Sequence, residues 1–229
     1  MKQAFQSISA AGLSLALIWG LSCGPSRWKL FTTPDRIRTV EGYASLRIQT
    51  EEGASRTKFS FVFSLPQRGH IEVSDFLGRT IYQILVLPEK AFFVVPSRKL
   101  YWTGREENII EKFLGFRLSM EEAVRFLTGQ WHHSSLPGSP ADWTFQYDEN
   151  GRVVSGKRDG LCFVIEEFLG DSNQVQSLTF SHSLSRGSLK ILQLQFNQEV
   201  IPDVFSYDFT ERYSETSWEH IRDLLNHAD

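Results

Sequence analysis

The sequence predicts a mainly β, α+β fold of about eleven antiparallel strands, and three observations predict it. Apolar and polar residues alternate with period two from Tyr43 to Trp102, and again from Trp143 to Asn197. Turn residues punctuate both stretches at hairpin spacing. Between them the apolar period becomes that of two short helices. The chain suits one medium domain, because about 207 residues follow the apolar leader described next.

Lys2 precedes an apolar run from Ala10 to Leu21 that is shorter than the ~20 residues a membrane-spanning helix needs, and the run ends at Ser22-Cys23. Residues 1–22 therefore read as a secretory signal peptide. Gly20, Leu21 and Ser22 before Cys23 resemble a bacterial lipobox, with Gly20 where that pattern prefers Leu. Two processing routes stay open: acylation of Cys23, or an ordinary cut near Ser22. Losing Lys2, the only charge among these residues, moves the formal net charge from −3 to −4. Mild acidity without clustered Lys and Arg points away from nucleic acid. Besides Cys23 the only cysteine is Cys162, in the apolar run Leu161 to Ile165, where it reads as a small buried hydrophobe.

Residues 23–40 read as a tether, with Pro25, Thr32, Thr33 and Pro34 and little periodicity. From Tyr43, Ala44, Leu46 and Ile48 share one strand face, and Glu51-Glu52-Gly53 makes a turn. Thr57 to Leu65 places Phe59, Phe61, Phe63 and Leu65 on one side, which is either ordinary core or the wall of an apolar cavity. A third strand spans His70 to Asp75 and a fourth Thr80 to Val86. The turn between them carries Phe76-Leu77-Gly78-Arg79, whereas a turn normally carries polar residues. Leu77 either folds back on the sheet or stands in solvent. Strands at Ala91 to Val95 and Lys99 to Trp102 complete the first half.

Ile109, Ile110, Phe113 and Leu114 then recur at helical spacing, and Gly115 suits the stop. Ser119 and Glu122 have the spacing of a capping box for a second helix, with Met120, Ala123, Val124 and Leu127 on one face and Gly129 at its end. Helices this short need an apolar surface to lie on, and the sheet is the only candidate. After a Pro- and Gly-containing loop from His132 to Pro140, strands read Trp143 to Tyr147, Arg152 to Lys157, Leu161 to Phe168, Val175 to Ser183 and Leu189 to Asn197. The tail from Pro202 to Arg212 is aromatic but irregular, and Thr216 to His227 reads as a last helix striped by Trp218, Ile221 and Leu225.

Element order, leader and motifs together resemble the LolA/LolB lipoprotein-carrier superfamily, and over Asp75 to Trp131 the LolB-like outer-membrane lipoprotein receptors. FLGR at Phe76 to Arg79 stands where that family has a PLG turn, and ENIIEKFLGFRLSMEEAVRFLTGQW, ending at Trp131, follows its helix, loop, helix pattern. Phe76 replaces the family's proline, and residues 198–229 extend beyond its usual end. The resemblance implies an incomplete barrel over residues 41–197 with a helical lid over an apolar cavity. Phe59, Phe61, Phe63, Ile109, Ile110, Phe113, Met120, Val124 and Leu127 would line that cavity. It further implies a lipid anchor at Cys23 in the outer membrane, facing the periplasm, with Gly24 consistent with that sorting. Phe76, Leu77 and Gly78 would form a membrane-insertion loop. The implied partners are lipoprotein acyl chains, a LolA-like periplasmic carrier and the outer-membrane bilayer. The alternative is a lipid-binding lipoprotein of the same fold that transfers no lipoprotein.

No cofactor is expected, and no enzyme. Gly-x-Ser-x-Gly is absent, and adjacent His132-His133 lack the spacing of a metal pair on one helix face.

Overall fold

The computed structural model describes residue 34 and residues 36–226 apart from 52, 76, 132–141, 171 and 184. Twelve strands form one sheet. β1 (Thr39–Thr50), β2 (Gly53–Ser64), β3 (Arg68–Ser74), β4 (Thr80–Val86), β5 (Ala91–Val95) and β6 (Leu100–Gly104) run as an antiparallel meander to one edge. β7 (Thr144–Tyr147), β8 (Val153–Arg158), β9 (Leu161–Phe168), β10 (Val175–His182) and β11 (Ser185–Phe196) run from the opposite edge inward, until β11 pairs with β1. The edges do not pair with each other, so the barrel is incomplete.

This topology dictates where the helices go. β6 and β7 are consecutive strands that lie near opposite edges, so the chain joining them must cross a face of the sheet. That crossing contains α1 (Glu106–Leu114) and α2 (Met120–Thr128). The face they cover holds the main core, including Leu46, Phe59, Phe61, Phe63, Ile71, Phe93 and Phe163. Each helix ends at a glycine in the left-handed region, Gly115 at φ 82° and Gly129 at φ 69°. At the start of α2 the Ser119 hydroxyl accepts from the Glu122 N–H and the Glu122 carboxylate accepts from the Ser119 N–H, the reciprocal box read in the sequence.

Three hairpin arms reach further than the alternation suggested: β1 begins at Thr39, β2 at Gly53 and β11 at Ser185. Gly53 to Arg56 are exposed and pair with Arg47 to Thr50 beyond the main core, so apolar alternation is not required of them.

The C-terminal tail supplies the twelfth strand and is not irregular throughout. Two 3-10 turns, Pro202–Phe205 and Asp208–Glu211, lie on the outer face, where Val200, Val204, Phe205, Phe209 and Tyr213 cover Val62, Leu85, Phe92, Val94 and Tyr101. Next, β12 (Ser214–Glu215) pairs parallel to β6. The Ser214 N–H donates to the Lys99 carbonyl at 2.9 Å and the Thr216 N–H to the Tyr101 carbonyl at 2.8 Å. The last helix, α3 (Trp218–Asn226), returns to the inner face, where the Trp218 ring lies 5.4 Å from both Phe93 and Trp102 and Ile221 is fully buried. The tail thus wraps the β6 edge and hides an edge strand that would otherwise invite pairing. This explains why all five residues of β5 are buried, since both of its faces are covered.

Candidate apolar binding site

Between the helix pair and the sheet lies a cavity of about 80 Å³ whose lining side chains are all apolar. Phe59, Phe63, Ile110, Met120 and Leu127, five of the nine residues expected there, line it. Phe61, Ile109 and Val124 are buried but point elsewhere in the core. Phe61 covers Gly42, where an added Cβ would stand 2.7 Å from the ring. Phe113 belongs to α1, but its side chain lies outside the described residues.

Several walls were missed in the sequence. Phe116 and Leu118, in the short link between the helices, face the cavity, as do Leu178, Phe180 and Leu189 from the second half of the sheet. Helical periodicity says nothing of a linker. Residues of β10 and β11 join Phe59 and Phe63 on one face because β11 pairs with β1, a pairing between distant parts of the chain. Phe126 lines the cavity and also packs on Trp131 and Phe163, each 4.8 Å away between ring centroids. It separates the cavity from a cluster that includes Trp131, Trp143, Phe145 and Phe163.

The helix pair is tied down by polar contacts at its margins. Glu122 accepts from Trp143 Nε1 at 3.0 Å and from the Arg158 guanidinium, whose Cζ lies 4.7 Å from the Trp143 ring centroid. Arg125, buried, pairs with Glu121 at 2.8 Å and donates to the Gln130 and Trp131 carbonyls beyond the end of α2. Glu106 on α1 accepts from the Met120 N–H at the start of α2. Burial holds the Glu106 carboxyl above the usual carboxylate range, the Glu107 charge adds to this, and the Met120 N–H opposes it.

The hairpin between β3 and β4 presents Leu77, 64% exposed, so this side chain does not fold back on the sheet. Asp75 organises the turn: its carboxylate accepts from the Leu77 N–H at 2.8 Å, the Arg79 N–H at 2.9 Å and Arg79 Nε at 2.7 Å, with Gly78 at φ 78°. The Arg79 backbone hydrogen bond is the main cause holding the Asp75 carboxyl below its usual range.

Asp148-Glu149-Asn150-Gly151-Arg152, between β7 and β8, repeats this turn. Asp148 accepts from Asn150, Arg152 and the Arg152 guanidinium at 2.9, 2.9 and 2.7 Å, with Gly151 at φ 75°. One scaffold thus carries Glu-Asn at one place and Phe-Leu at the other. The turn itself does not require apolar residues. The D-x-x-G-R spacing, visible at 75–79 and 148–152, is the signal that reveals the pair.

Cys23, Phe76 and His132-His133 lie outside the described residues. Gly78 serves the turn. Among the described residues no group of three His, Cys, Asp or Glu side chains is placed to hold a metal, and no helix is long and apolar enough to cross a membrane.

The arrangement defines a class: an open, mostly antiparallel sheet whose concave face is roofed by two helices over an apolar cavity. A DUF1329 family protein from Desulfovibrio piger shares this fold, with a TM-score of 0.53 at 10% identity over 75% of this chain and 90% of that one. A LolA superfamily protein from Nitrosomonas europaea superposes with a TM-score of 0.45 at 12% identity, over 78% of this chain and 93% of that one. A Vibrio parahaemolyticus domain with a proposed outer-membrane lipoprotein-sorting role superposes at 0.46 and 9% identity, over 79% and 92%. No protein-family model and no curated protein matches the chain.

Proposed function

We propose that this protein is a LolB-like receptor, anchored in the outer membrane through Cys23 and facing the periplasm. It takes lipoproteins from a LolA-like periplasmic carrier and inserts them in the bilayer. The observation that carries this reading is the cavity between helices and sheet, lined by apolar side chains alone. Each acyl methylene brought out of water is worth about 0.8 kcal/mol, so a lipoprotein crosses an aqueous compartment only with its chains held in such a place. Residues 1–23 and the exposed Leu77 support the same reading. Placing one leucine in lipid is worth about 1.5–3 kcal/mol, enough to bias docking and too little to anchor irreversibly.

At about 80 Å³ the cavity is smaller than the ~300–1,000 Å³ of typical ligand pockets. Loading therefore requires α1 and α2 to move off the sheet. The same small volume favours a second reading, a carrier for one apolar chain that handles no lipoprotein.

The test uses the mature chain with Cys23→Ala. A LolA-type carrier loaded with radiolabelled lipoprotein is mixed with this protein and liposomes. Label is expected to reach the protein in both the Leu77 and the Leu77→Glu forms, and to reach liposomes only with Leu77. Label that never leaves the carrier rejects the receptor. A single free lipid per protein, found by mass spectrometry of the extracted cavity contents, supports the second reading.

A further inference from the structure

The outer face of the sheet carries a cluster of cations that the cavity does not use. On β1 the residues opposite the core-facing Ala44, Leu46 and Ile48 are Ser45, Arg47 and Gln49. The pairing places Lys58 and Lys190 on either side of Ser45, Arg56 and Ser188 beside Arg47, and Ala54 and Arg186 beside Gln49. β10 adds Ser177, Thr179 and Ser181 to the same rows. Adjacent strands lie about 5 Å apart and successive rows about 7 Å, so five cations occupy a patch roughly 10 Å by 14 Å.

All five are exposed, and none forms an ion pair with a described residue. Arg56 Nε donates weakly to Ser45 Oγ at 3.5 Å, and Ser45 is itself buried beneath the neighbouring stems. No carboxylate stands among these rows. Among the described residues the flanking carboxylates are Glu51 in the β1–β2 turn, Glu41 and Glu72 further along the sheet, and two on β9: Glu167, which pairs with Ser177 at the far side of β10, and Glu166, which accepts from Thr179 Oγ1 at 2.8 Å. The described part of the C-terminal tail covers the outer face over β4 to β6 and reaches the Val62 end of β2 and the Pro202–Phe205 contact with β3, but not these rows. Five unpaired cations on a chain of net charge −3 are a local feature, not a consequence of composition.

Their position gives them a partner. The Phe59–Val73 register carries β3 into the Asp75–Arg79 hairpin beside Lys58, so the patch and exposed Leu77 share one end of the sheet. Ile81, 37% exposed, stands at the register shift of β4, between the hairpin and the rest of that strand. An oblique plane touching that end meets an apolar tip and, next to it, a positive surface. A lipid bilayer offers the matching order: acyl chains beneath a layer of phosphates.

We infer that Arg47, Arg56, Lys58, Arg186 and Lys190 bind the phosphates of anionic phospholipids and hold the Leu77 end of the protein against the bilayer. This rests on the receptor reading only in taking Leu77 as the tip that enters lipid. The patch acts by charge and the leucine by burial, so the two contributions separate. Salt weakens the first, because charges in water are screened beyond about 8 Å at physiological ionic strength, and leaves the second in place.

The experiment is co-sedimentation of the mature chain carrying Cys23→Ala with phosphatidylcholine vesicles, with and without phosphatidylglycerol, at low and high salt. Phosphatidylglycerol is expected to strengthen binding in a salt-sensitive way. Arg47→Gln, Lys58→Gln and Lys190→Gln together are expected to weaken binding to the anionic vesicles by about a hundredfold, and to leave binding to the neutral ones unchanged. Arg68→Gln, Arg212→Gln and Arg222→Gln, exposed cations outside the patch, are expected to change neither. Leu77→Glu should weaken binding to both vesicle types and preserve the salt response, which separates failure of the tip from failure of the patch. Should the first triple variant melt early, Arg56→Gln with Arg186→Gln replaces it, with a smaller loss expected. Equal binding of the unaltered chain to both vesicle types overturns the inference, and so does an equal loss from both triple variants. A patch variant that sediments normally but accepts lipoprotein from the carrier more slowly also overturns it, and assigns the face to an acidic protein surface.

Discussion

At the scale of single residues, backbone geometry decides which positions tolerate change. Gly129 ends α2 at φ 69°, and a Cβ there would stand 1.8 Å from the Asn173 carbonyl oxygen. Two penalties coincide, a left-handed backbone and a clash with main chain that a rotamer change does not relieve. Gly129→Ala is therefore expected to cost about 2 kcal/mol or more in urea unfolding, and a loss under about 0.5 kcal/mol would show that the 172–174 loop moves aside freely. The sequence showed a helix stop at Gly129 but not this neighbour, which comes from a loop more than forty positions away. Leu77 presents the reverse case. Its presence in a turn was legible as an anomaly, yet only the Asp75 carboxylate geometry and the twin turn at Asp148 show that it stands in solvent without structural need.

At the scale of elements, the helix pair was almost fully readable. Its stripes, its glycine stops and the Ser119–Glu122 box all depend on residues within one or two turns of each other. The ties between elements were not readable, because they join Glu106 to Met120 and Glu122 to Trp143 and Arg158 across the fold. Glu106 provides a test. Burial raises its folded carboxyl above the ordinary value of 4.5, so the native state binds the proton more tightly than the unfolded chain. Stability from this group is present at acid pH and is lost as pH rises through the folded value. Glu106→Gln, which keeps an oxygen to accept from the Met120 N–H, is expected to stabilise the protein at neutral pH and to leave stability at pH below 4.5 nearly unchanged. Thermal melts across that range check it, and destabilisation at neutral pH would sink the idea.

At the scale of the whole molecule, the C-terminal tail covers the β6 edge of a sheet that stays open. Its apolar residues were visible, but their destination was not. The unbroken run Ala91 to Val95 was the available hint, since a strand in a half-solvated sheet alternates. His70 reports on this outer covering. It pairs with Val62 and Leu85, two residues of the outer-face cluster, on a strand that contacts the Pro202–Phe205 turn. Burial lowers its imidazole pKa below 6.5, with Glu72 opposing, so the unfolded chain binds the proton more tightly. Stability is complete above 6.5 and falls as pH drops from there through the folded value. His70→Gln should flatten that part of the stability profile in urea titrations, whereas an unchanged slope would place the pH sensitivity elsewhere.

The sequence by itself determined the secondary structure class, the succession of eleven of the twelve strands along the chain, the helix pair with its caps, and most of the buried face of each element. These follow from periods of two and 3.6 residues and from turn chemistry, all of which act over short stretches. The open sheet and its helical lid were expected from the resemblance; the tertiary structure alone decided that the cavity beneath the lid is about 80 Å³ and that the tail covers the β6 edge. It also gathered Arg47, Arg56, Lys58, Arg186 and Lys190, scattered over more than 140 positions, onto three neighbouring strands. A local pattern states which side of a strand seeks cover, but what covers it depends on strand register and sheet curvature, which join residues far apart in the chain.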